Sequence, residues 1–373
     1  MAHLGLTFPS RLLYGEETFH QLGTITKSLG NRALIITETA MHVETYLEQA
    51  QQFLHAKGVS TIVFEEIPPT VTTLQVREAA RIIKASKPQT IISLGGMRVI
   101  SAARAAAVLG RSQISDGVTK PVCIEIPTSC RNHGLFRNEW VITDAETSSS
   151  IIQSFSGDTI HTILVDPTLS YSLSSRYFAV AMLDTLLASV EGYMSDGSNF
   201  LSDTYLDRAI VLLGEALSIH LRNPEDLQAR NKAVEAGLLS AMGLAASSQG
   251  IGSALSFVIN SKKKVPKSWV ASVLLPHVLE LYAKDHPIKL RRIAQCLGED
   301  VEGIHPEVLV QKAPAATRKL LGALELPGRL RDLNLSLSDL GEVSALAVQL
   351  PYSKTLPFRM NEEAVYELVK KAF

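Results

Sequence analysis

The sequence has 373 residues, a length that allows two domains with large hydrophobic cores. Hydrophobic residues make up 46% and charged residues 20%, which excludes a disordered chain. The chain has 36 basic and 37 acidic residues, so the formal net charge is −1. This balance excludes an overall positive electrostatic field that would bind nucleic acid or an anionic membrane. A local basic pocket remains compatible with this balance.

The cysteines and the first residues bear on the compartment. There are three cysteines and no CxxC pair, so neither a zinc knuckle nor a disulfide framework is predicted, and a reducing, cytoplasmic compartment is the default. Residues 1–9 lack a charged start followed by a long apolar run, so we expect no targeting segment. No stretch of 18 residues is free of charged and polar side chains, and no transmembrane helix is predicted.

The first half of the chain alternates between short β-branched runs and helical stretches such as 76–85. This alternation predicts a parallel sheet covered by helices on both faces, a doubly wound domain in which ligands bind at the carboxyl ends of the strands. The loops after Leu94 and Ile126 are therefore the expected binding loops. The predicted strands of this sheet are 33–37, 61–64, 90–94 and 121–126.

Two further strands are predicted at 140–143 and 163–165, and the Ser-rich stretch 147–156 between them is predicted to be a loop. Asp166-Pro167 then interrupts the pattern. We predict a Rossmann-like α/β domain over 1–167 and an all-helical domain over 168–373, with a cleft between them.

Helical spacing dominates from Arg176 onward. The runs 182–190 and 238–246 are apolar nearly all round, as is typical of helices buried in a helical domain. The predicted helices are 177–194, 204–221, 227–248, 252–258, 268–283, 287–297 and 362–372.

Short motifs along almost the whole chain resemble the iron-containing alcohol dehydrogenases, to which glycerol dehydrogenase and dehydroquinate synthase are more distantly similar. The resemblance implies the same two-domain fold, a nicotinamide cofactor and a homo-oligomer. The motifs are Arg11-Leu12-Leu13-Tyr14-Gly15, Ile67-Pro68-Pro69-Thr70, Ser93-Leu94-Gly95-Gly96, Ile126-Pro127-Thr128, Val165-Asp166-Pro167, Leu183-Asp184, Leu274-Leu275-Pro276-His277, Leu356-Pro357 and Asn361-Glu362-Glu363.

The same resemblance implies that this chain lacks three of the family's four metal ligands. Family members hold a divalent metal with one Asp and three His, and Asp184 corresponds to the Asp. The first His lies four residues later, on the same helix face, where this chain has Ala188. The other two correspond to Ser253 and Lys267, and a further His linked to proton relay corresponds to Phe257. Since zinc or ferrous iron needs about three or four N, O or S donors, no catalytic metal is predicted.

Lys267 suggests what replaces the metal. Asp184 stands among leucines and a valine, where an uncompensated carboxylate would be costly to bury. We predict an ion pair between Asp184 and Lys267, with charged atoms within about 6 Å. The alternative is that Asp184 caps a helix or faces solvent and that Lys267 is a surface charge of a loop. His277 is interpreted as a structural residue.

The first cofactor loop departs from the family's Gly-Gly-Gly-Ser-x-x-Asp pattern. Gly95 and Gly96 remain, whereas Met97, Arg98 and Ser101 replace the third Gly, the Ser and the Asp. We expect Met97 to disfavour positive φ and to crowd a pyrophosphate, while Arg98 offers a direct phosphate contact. The alternative is a plain turn from strand to helix.

Glu38 and Thr128 complete the candidate cofactor-binding residues. Glu38 follows the first strand and could accept a hydrogen bond from a ribose hydroxyl. After Thr128, the family's small residues are replaced by Cys130, Arg131 and His133. These changes either create a new polar site, with Arg131 for an anion, His133 as acid or base and Cys130 as nucleophile, or reflect drift in a loop without its former task.

Three functions remain open, with Lys267, His133 and Asp184 as candidate catalytic residues. The first is a metal-free NAD(P)-linked oxidoreductase in which Lys267 or His133 polarises a carbonyl. The second is a non-catalytic pseudoenzyme that binds a protein partner, and the third is a repurposed enzyme that acts on an anionic small molecule. Conventional metal-dependent dehydrogenase activity is not expected, and NAD(P) is a candidate cofactor that the sequence does not fix.

Overall fold

The computed structural model describes residues 11–38, 41–114, 120–155 and 159–373. The chain divides into two compact units. Among the described residues, the first unit contains those within 11–129 and 136–173, and the second contains 130–135 and 174–373. The second unit thus consists of the helical part from Ser174 onward and a short segment, 130–135, from the middle of the first.

The first unit is an α/β domain built on a six-stranded parallel sheet, which confirms the predicted fold class. The elements next to the candidate cofactor-binding residues of this unit are β2 (Arg32–Ile36), β4 (Thr90–Gly95), α4 (Met97–Ser112) and β5 (Val122–Pro127). The remaining elements are β1 (Leu12–Tyr14), α1 (Leu22–Leu29), α2 (Met41–His55), β3 (Ser60–Phe64), α3 (Thr73–Ser86), β6 (Glu139–Thr143), β7 (Ser150–Ser154) and β8 (Ile160–Val165).

The strand order β1-β8-β5-β4-β2-β3 creates a topological switch point between β2 and β4. From β2 the chain proceeds to β3 on one side, and from β4 it proceeds to β5 on the other. Ligands of doubly wound sheets bind where the strand order reverses, so the carboxyl ends of β2 and β4 are the expected site. Two hydrophobic clusters, one on each face, bury the sheet against its helices.

The prediction of a loop over 147–156 is wrong for residues 150–154. Ser150–Ser154 forms β7, which pairs antiparallel with β6 in a separate two-stranded sheet. Asp144 closes the connecting turn by accepting hydrogen bonds from the backbone N–H groups of Glu146 and Thr147. Ile151 and Ile152, which are β-branched and favour a strand, lie at the centre of this serine-flanked segment and pair with β6.

The second unit is mostly helical, as predicted. The elements next to Asp184 and Lys267 in this unit are α5 (Ser175–Met194), α7 (Leu227–Ala245), α8 (Ile251–Lys263) and α9 (Lys267–Leu281). The others are α6 (Phe200–Arg222), α10 (Pro287–Cys296), α11 (Pro306–Ala323), α12 (Asp339–Gln349) and α13 (Glu362–Lys371). None of the helices in the described part of the chain has the length and apolarity to cross a bilayer.

The two runs predicted to be buried all round differ. Residues 182–190 in α5 are all buried, which confirms the prediction. Within 238–246, four residues stay partly exposed, namely Leu239, Met242, Ala245 and Ala246. Helix α5 is therefore the central helix of this unit, and it carries Asp184.

Candidate functional site

The turn between β4 and α4 combines two glycines that serve different purposes. Gly95 has φ +151°, which side chains rarely adopt, and a Cβ added there would lie 2.8 Å from Cγ2 of Val99. Gly96 precedes α4 with φ −72°, and a Cβ added there would meet no atom within 4 Å. Gly95 is thus required by the turn, whereas Gly96 leaves open space beside the start of the helix.

The expectation of an unfavourable φ at Met97 is wrong, whereas its expected crowding of a pyrophosphate stays a prediction. Met97 is the first residue of α4, and the positive φ falls on Gly95 instead. A side chain at position 97 is therefore compatible with the backbone of the turn.

Arg98 and Glu38 meet at the switch point. The guanidinium of Arg98, in the first turn of α4, forms a salt bridge with the carboxylate of Glu38, which follows β2 and is buried. Nearby, the hydroxyl of Thr37 donates a hydrogen bond to the carbonyl of Leu94 over 2.8 Å and links the ends of the two strands. Glu38 thus already has a cationic partner at the position where a ribose would be recognised.

Ser101 and Thr128, the other two candidate cofactor residues, are both buried. The Oγ of Ser101 accepts a hydrogen bond from the backbone N–H of Val141 over 3.3 Å, which ties α4 to β6. Thr128 directly follows β5. Ser101 therefore has a structural task, and cofactor contacts by either residue remain predictions.

The helical unit brings Asp184, Lys267 and Arg131 together. Lys267 Nζ lies 2.6 Å from Oδ1 of Asp184, and Arg131 Nε lies 2.7 Å from Oδ2. Asp184 is fully buried, and the side chains of Lys267 and Arg131 are 6% and 16% exposed. The predicted Asp184–Lys267 ion pair is therefore present, and its alternative, a surface Lys267 with a solvent-facing Asp184, is wrong.

Arg131 reaches this cluster because the segment 130–135 is fixed against two helices. The hydroxyl of Thr185 on α5 donates to the carbonyl of Cys130 over 3.2 Å. On α7, a Cβ added to Gly237 would lie only 2.0 Å from the same carbonyl oxygen. The absence of a side chain at Gly237 thus permits the close approach that positions Arg131.

The two cations set the protonation state of the carboxylate. Burial alone would raise the pKa of Asp184, but the charges of Lys267 and Arg131 outweigh it and hold that pKa well below its usual range. Burial lowers the pKa of Lys267, and the carboxylate of Asp184 opposes this shift. For Arg131, Asp184 and Tyr177 outweigh burial and raise the pKa. The cluster consists of one carboxylate and two cations.

His133 and Cys130 behave differently from what an acid–base or nucleophilic role requires. Burial, together with the charge of Lys267, lowers the pKa of His133 to about 3, so this imidazole is neutral at physiological pH. Burial raises the pKa of the Cys130 thiol to about 12. Since the thiolate is the reactive form, Cys130 is inert as a nucleophile.

The positions that correspond to the family's histidines have new neighbours. Ala188 packs in an apolar cluster with Leu206 and Leu244. The backbone N–H of Ser253 donates to the buried carboxylate of Glu191. Phe257 lies beneath Lys267, whose Nζ is 4.9 Å from the centroid of the ring. Apolar packing and cation–π contact thus surround the ammonium group.

The donor set does not fit a divalent cation. Both oxygens of Asp184 bind positively charged side chains, and neither an ammonium nor a guanidinium is a metal ligand. Lys267 and Arg131 already compensate the charge of the Asp184 carboxylate.

Sequence reasoning missed two parts of this arrangement. The sequence predicts Arg131 as a contact for an anion and does not predict its salt bridge with Asp184. Glu191, seven residues after Asp184 and thus on the same face of α5, accepts hydrogen bonds from the N–H groups of Gly250 and Gly252. The seven-residue spacing of Asp184 and Glu191, which places both on one face of α5, is the sequence signal that points to Glu191. Nδ1 of His277 lies 3.8 Å from Oε2 of Glu280 and has no hydrogen-bond partner among the described residues, so the interpretation of His277 as a structural residue stays a prediction.

Family models match both parts of the chain. The model described as iron-containing alcohol dehydrogenase covers residues 9–167. The model described as Fe-containing alcohol dehydrogenase family, C-terminal, covers residues 178–373.

Individual relatives are similar over nearly the full length. The 1,3-propanediol dehydrogenase of Klebsiella pneumoniae is 22% identical, over 98% of this chain and 97% of that protein. The NAD-dependent methanol dehydrogenase of Bacillus methanolicus is also 22% identical, over 98% of each. A solved structure of 1,3-propanediol oxidoreductase superposes with a TM-score of 0.92 at 21% identity and covers 100% of both chains.

Proposed function

Since the chain belongs to the iron-containing alcohol dehydrogenase family, we propose that it is a metal-independent member, in which a buried ion cluster replaces the catalytic metal and the dinucleotide site persists in altered form. The observation that carries the proposal is the double pairing of Asp184 with Lys267 and Arg131. Conventional metal-dependent alcohol oxidation is then absent.

Electrostatics supports the replacement. A metal at Asp184 would have to displace two cations, and breaking a buried ion pair typically costs about 3–5 kcal/mol. The positions corresponding to the three histidines, Ala188, Ser253 and Lys267, offer a methyl group, a hydroxyl and an ammonium. Few donors would compensate for the lost pairs.

The α/β unit supports retained dinucleotide binding. The Gly95-Gly96 turn leads directly into α4, whose first turn holds no acidic residue and includes Arg98. Orphan N–H groups at the start of a helix, the helix dipole and a guanidinium all favour a phosphate. Relatives include a protein named as an NAD-dependent methanol dehydrogenase, so NADH and NADPH are the cofactors to test.

In this proposal, a residual hydride transfer would use the positive charge of the Lys267–Arg131 pair in place of a metal. A fixed cation near a developing alkoxide can supply several kcal/mol of stabilisation. His133, neutral because of its lowered pKa, would donate a hydrogen bond and would not deliver a charge.

One observation favours the alternative, a pseudoenzyme that acts through a protein partner. The Arg98–Glu38 salt bridge occupies the carboxylate that would recognise a ribose hydroxyl. If this pair does not open, the dinucleotide site is closed and the fold serves another purpose.

The test combines metal analysis with cofactor titration. The purified protein should contain far less than one equivalent of zinc, iron or manganese, and it should take up none of these metals on dialysis against them. The Klebsiella 1,3-propanediol dehydrogenase, prepared in parallel, serves as the reference family member. Energy transfer from protein to nicotinamide should report saturable binding of NADH or NADPH. One equivalent of metal would overturn the proposal, and metal-free protein without cofactor binding would favour the pseudoenzyme.

A further inference from the structure

A cavity of about 450 Å³ lies in the helical unit, lined by residues of α6, α7 and α11 and by the end of α10 with the two residues that follow it. Sites for small molecules typically measure about 300–1,000 Å³. Asp184, Lys267 and Arg131 do not line this cavity. It is therefore a candidate ligand site apart from the ion cluster.

Two rows of side chains on α6 give the cavity an apolar and a polar wall. Leu217 and Leu221 form the apolar row, and Glu215, Ser218 and Arg222 form the polar row beside it. Residues three or four apart lie on one face of a helix, and at 1.5 Å per residue the polar row extends over about 10 Å. The cavity thus suits an elongated ligand with one apolar and one polar part.

The apolar wall continues on the neighbouring elements. Leu297, directly after α10, and Leu320 on α11 also line the cavity and are half-buried, while Leu221 is 38% exposed. Removing such apolar surface from water is favourable. These leucines therefore favour an alkyl chain as the apolar part of a ligand.

The polar wall offers a cation at one end. Glu215 already has a partner, since Nζ of Lys232 on α7 lies 2.6 Å from its Oε2. Arg222 is exposed and forms no ion pair with any residue that the structure describes. A guanidinium can bind both oxygens of a carboxylate, so the polar part of the ligand is expected to be a carboxylate at Arg222.

We propose that this cavity binds the anion of a medium-chain fatty acid, with its carboxylate at Arg222 and its alkyl chain along the leucines. An extended chain of eight carbons, with C–C bonds of about 1.5 Å, is about as long as the polar row of α6. The proposal needs neither the ion cluster nor a dinucleotide, so it stands or falls independently of the proposed function.

Cys296 provides a reporter inside the cavity. It lines the cavity and is half-buried, whereas Cys123 and Cys130 are 1% and 0% exposed. Burial raises the pKa of the Cys296 thiol to about 11, so its alkylation by N-ethylmaleimide is best followed at alkaline pH. A ligand in the cavity should slow this alkylation.

The experiment titrates the wild-type protein with octanoate by isothermal titration calorimetry and follows the alkylation of Cys296 by peptide mass spectrometry. We expect one saturable site, protection of Cys296 at saturation, and at least tenfold weaker binding of butanoate, which lacks four methylene groups. Arg222→Met should weaken octanoate binding about fivefold, the upper range for an exposed ion pair. Leu221→Gln should weaken it to a similar extent, because an amide replaces part of the apolar wall.

Arg208→Met and Leu227→Gln are the matched controls and should bind octanoate as the wild type does. Arg208 is exposed on α6, fourteen residues before Arg222 and hence about 21 Å away along the helix. Leu227 is 50% exposed, and neither residue lines the cavity. Wild-type protein without saturable binding, or with binding that leaves the alkylation of Cys296 unchanged, would refute the site. Wild-type affinity in Arg222→Met would refute the placement of the carboxylate.

Discussion

Lys267 and Asp184 are 83 residues apart in the chain, yet their charged atoms lie 2.6 Å from each other in the helical unit. The pair lies in an environment that excludes water, since Asp184 is fully buried and Lys267 nearly so. Removing one member therefore leaves a charge that solvent cannot reach.

Asp184→Asn is expected to destabilise the protein by about 3–5 kcal/mol, because it leaves Lys267 and Arg131 buried against each other. Lys267→Met should cost less, since Arg131 still binds the carboxylate. Urea denaturation of both single variants and of the double variant measures the coupling. A coupling energy near zero would contradict the assignment of this pair as a strong interaction.

His133 predicts how stability depends on pH. Its pKa of about 3 in the folded protein lies below the ordinary value of 6.5, so between these values the unfolded chain binds a proton that the folded one does not. The contribution of His133 to the free energy of unfolding is therefore fully present above pH 6.5 and is lost as the pH falls towards 3. The loss amounts to up to about 5 kcal/mol for a shift of this size.

The Asp184 carboxyl, whose pKa is also depressed, acts in a lower window, below its ordinary value of 3.8. His133→Gln should therefore remove much of the loss between pH 6.5 and 4 and leave the later loss in place. Denaturation midpoints at a series of pH values provide the measurement. Parallel curves for variant and wild type over the upper window would show that His133 titrates normally.

Gly237→Ala tests how the segment 130–135 is fixed. The added methyl group would lie 2.0 Å from the carbonyl oxygen of Cys130 and must displace it. We expect a loss of about 2–4 kcal/mol, of the order seen for severe overpacking. Gly322→Ala in α11 is the control, since its methyl group meets no atom within 4 Å and should stabilise the helix by up to about 1 kcal/mol.

A second buried ion pair offers a separate test in the α/β unit. Arg104 on α4 binds both oxygens of Glu125 on β5 at 2.7 Å, and it also donates to the carbonyls of Arg137 and Glu139. Arg104→Met should cost about 3–5 kcal/mol, because it leaves Glu125 buried and unpaired.

Arg81→Met is the comparison for that prediction, because Arg81 pairs with Glu78 on the surface at 78% and 49% exposure. Its effect should stay below about 1 kcal/mol. Comparable losses in the two variants, measured by urea denaturation, would mean that burial does not govern the strength of these pairs.

The sequence predicted the fold well where one signal dominated. Apolar β-branched runs predicted the inner strands of the sheet, and helical spacing predicted α5 and its neighbours. The prediction failed at 150–154, where the flanking serines indicated a loop although Ile151 and Ile152 favour the strand that pairs with β6.

At the candidate site, the sequence predicted the Asp184–Lys267 pair because a buried carboxylate needs a compensating charge. It did not predict the second bond from Arg131, which depends on how closely Thr185 and Gly237 approach Cys130. The expectation of an unfavourable φ at Met97 failed for a similar reason, since the turn assigns its positive φ to Gly95. Such positions depend on distances of a few tenths of an ångström, which a linear pattern does not encode.

The passage of residues 130–135 into the helical unit determines how the protein can be divided. A fragment starting at Ser174 would contain Asp184 and Lys267 but not Arg131, so Oδ2 of Asp184 would lose its partner. A domain exchange with a relative would have to graft the short segment together with the helices. Each unit has its own core, but the helical unit includes a segment that is encoded within the stretch of the α/β unit.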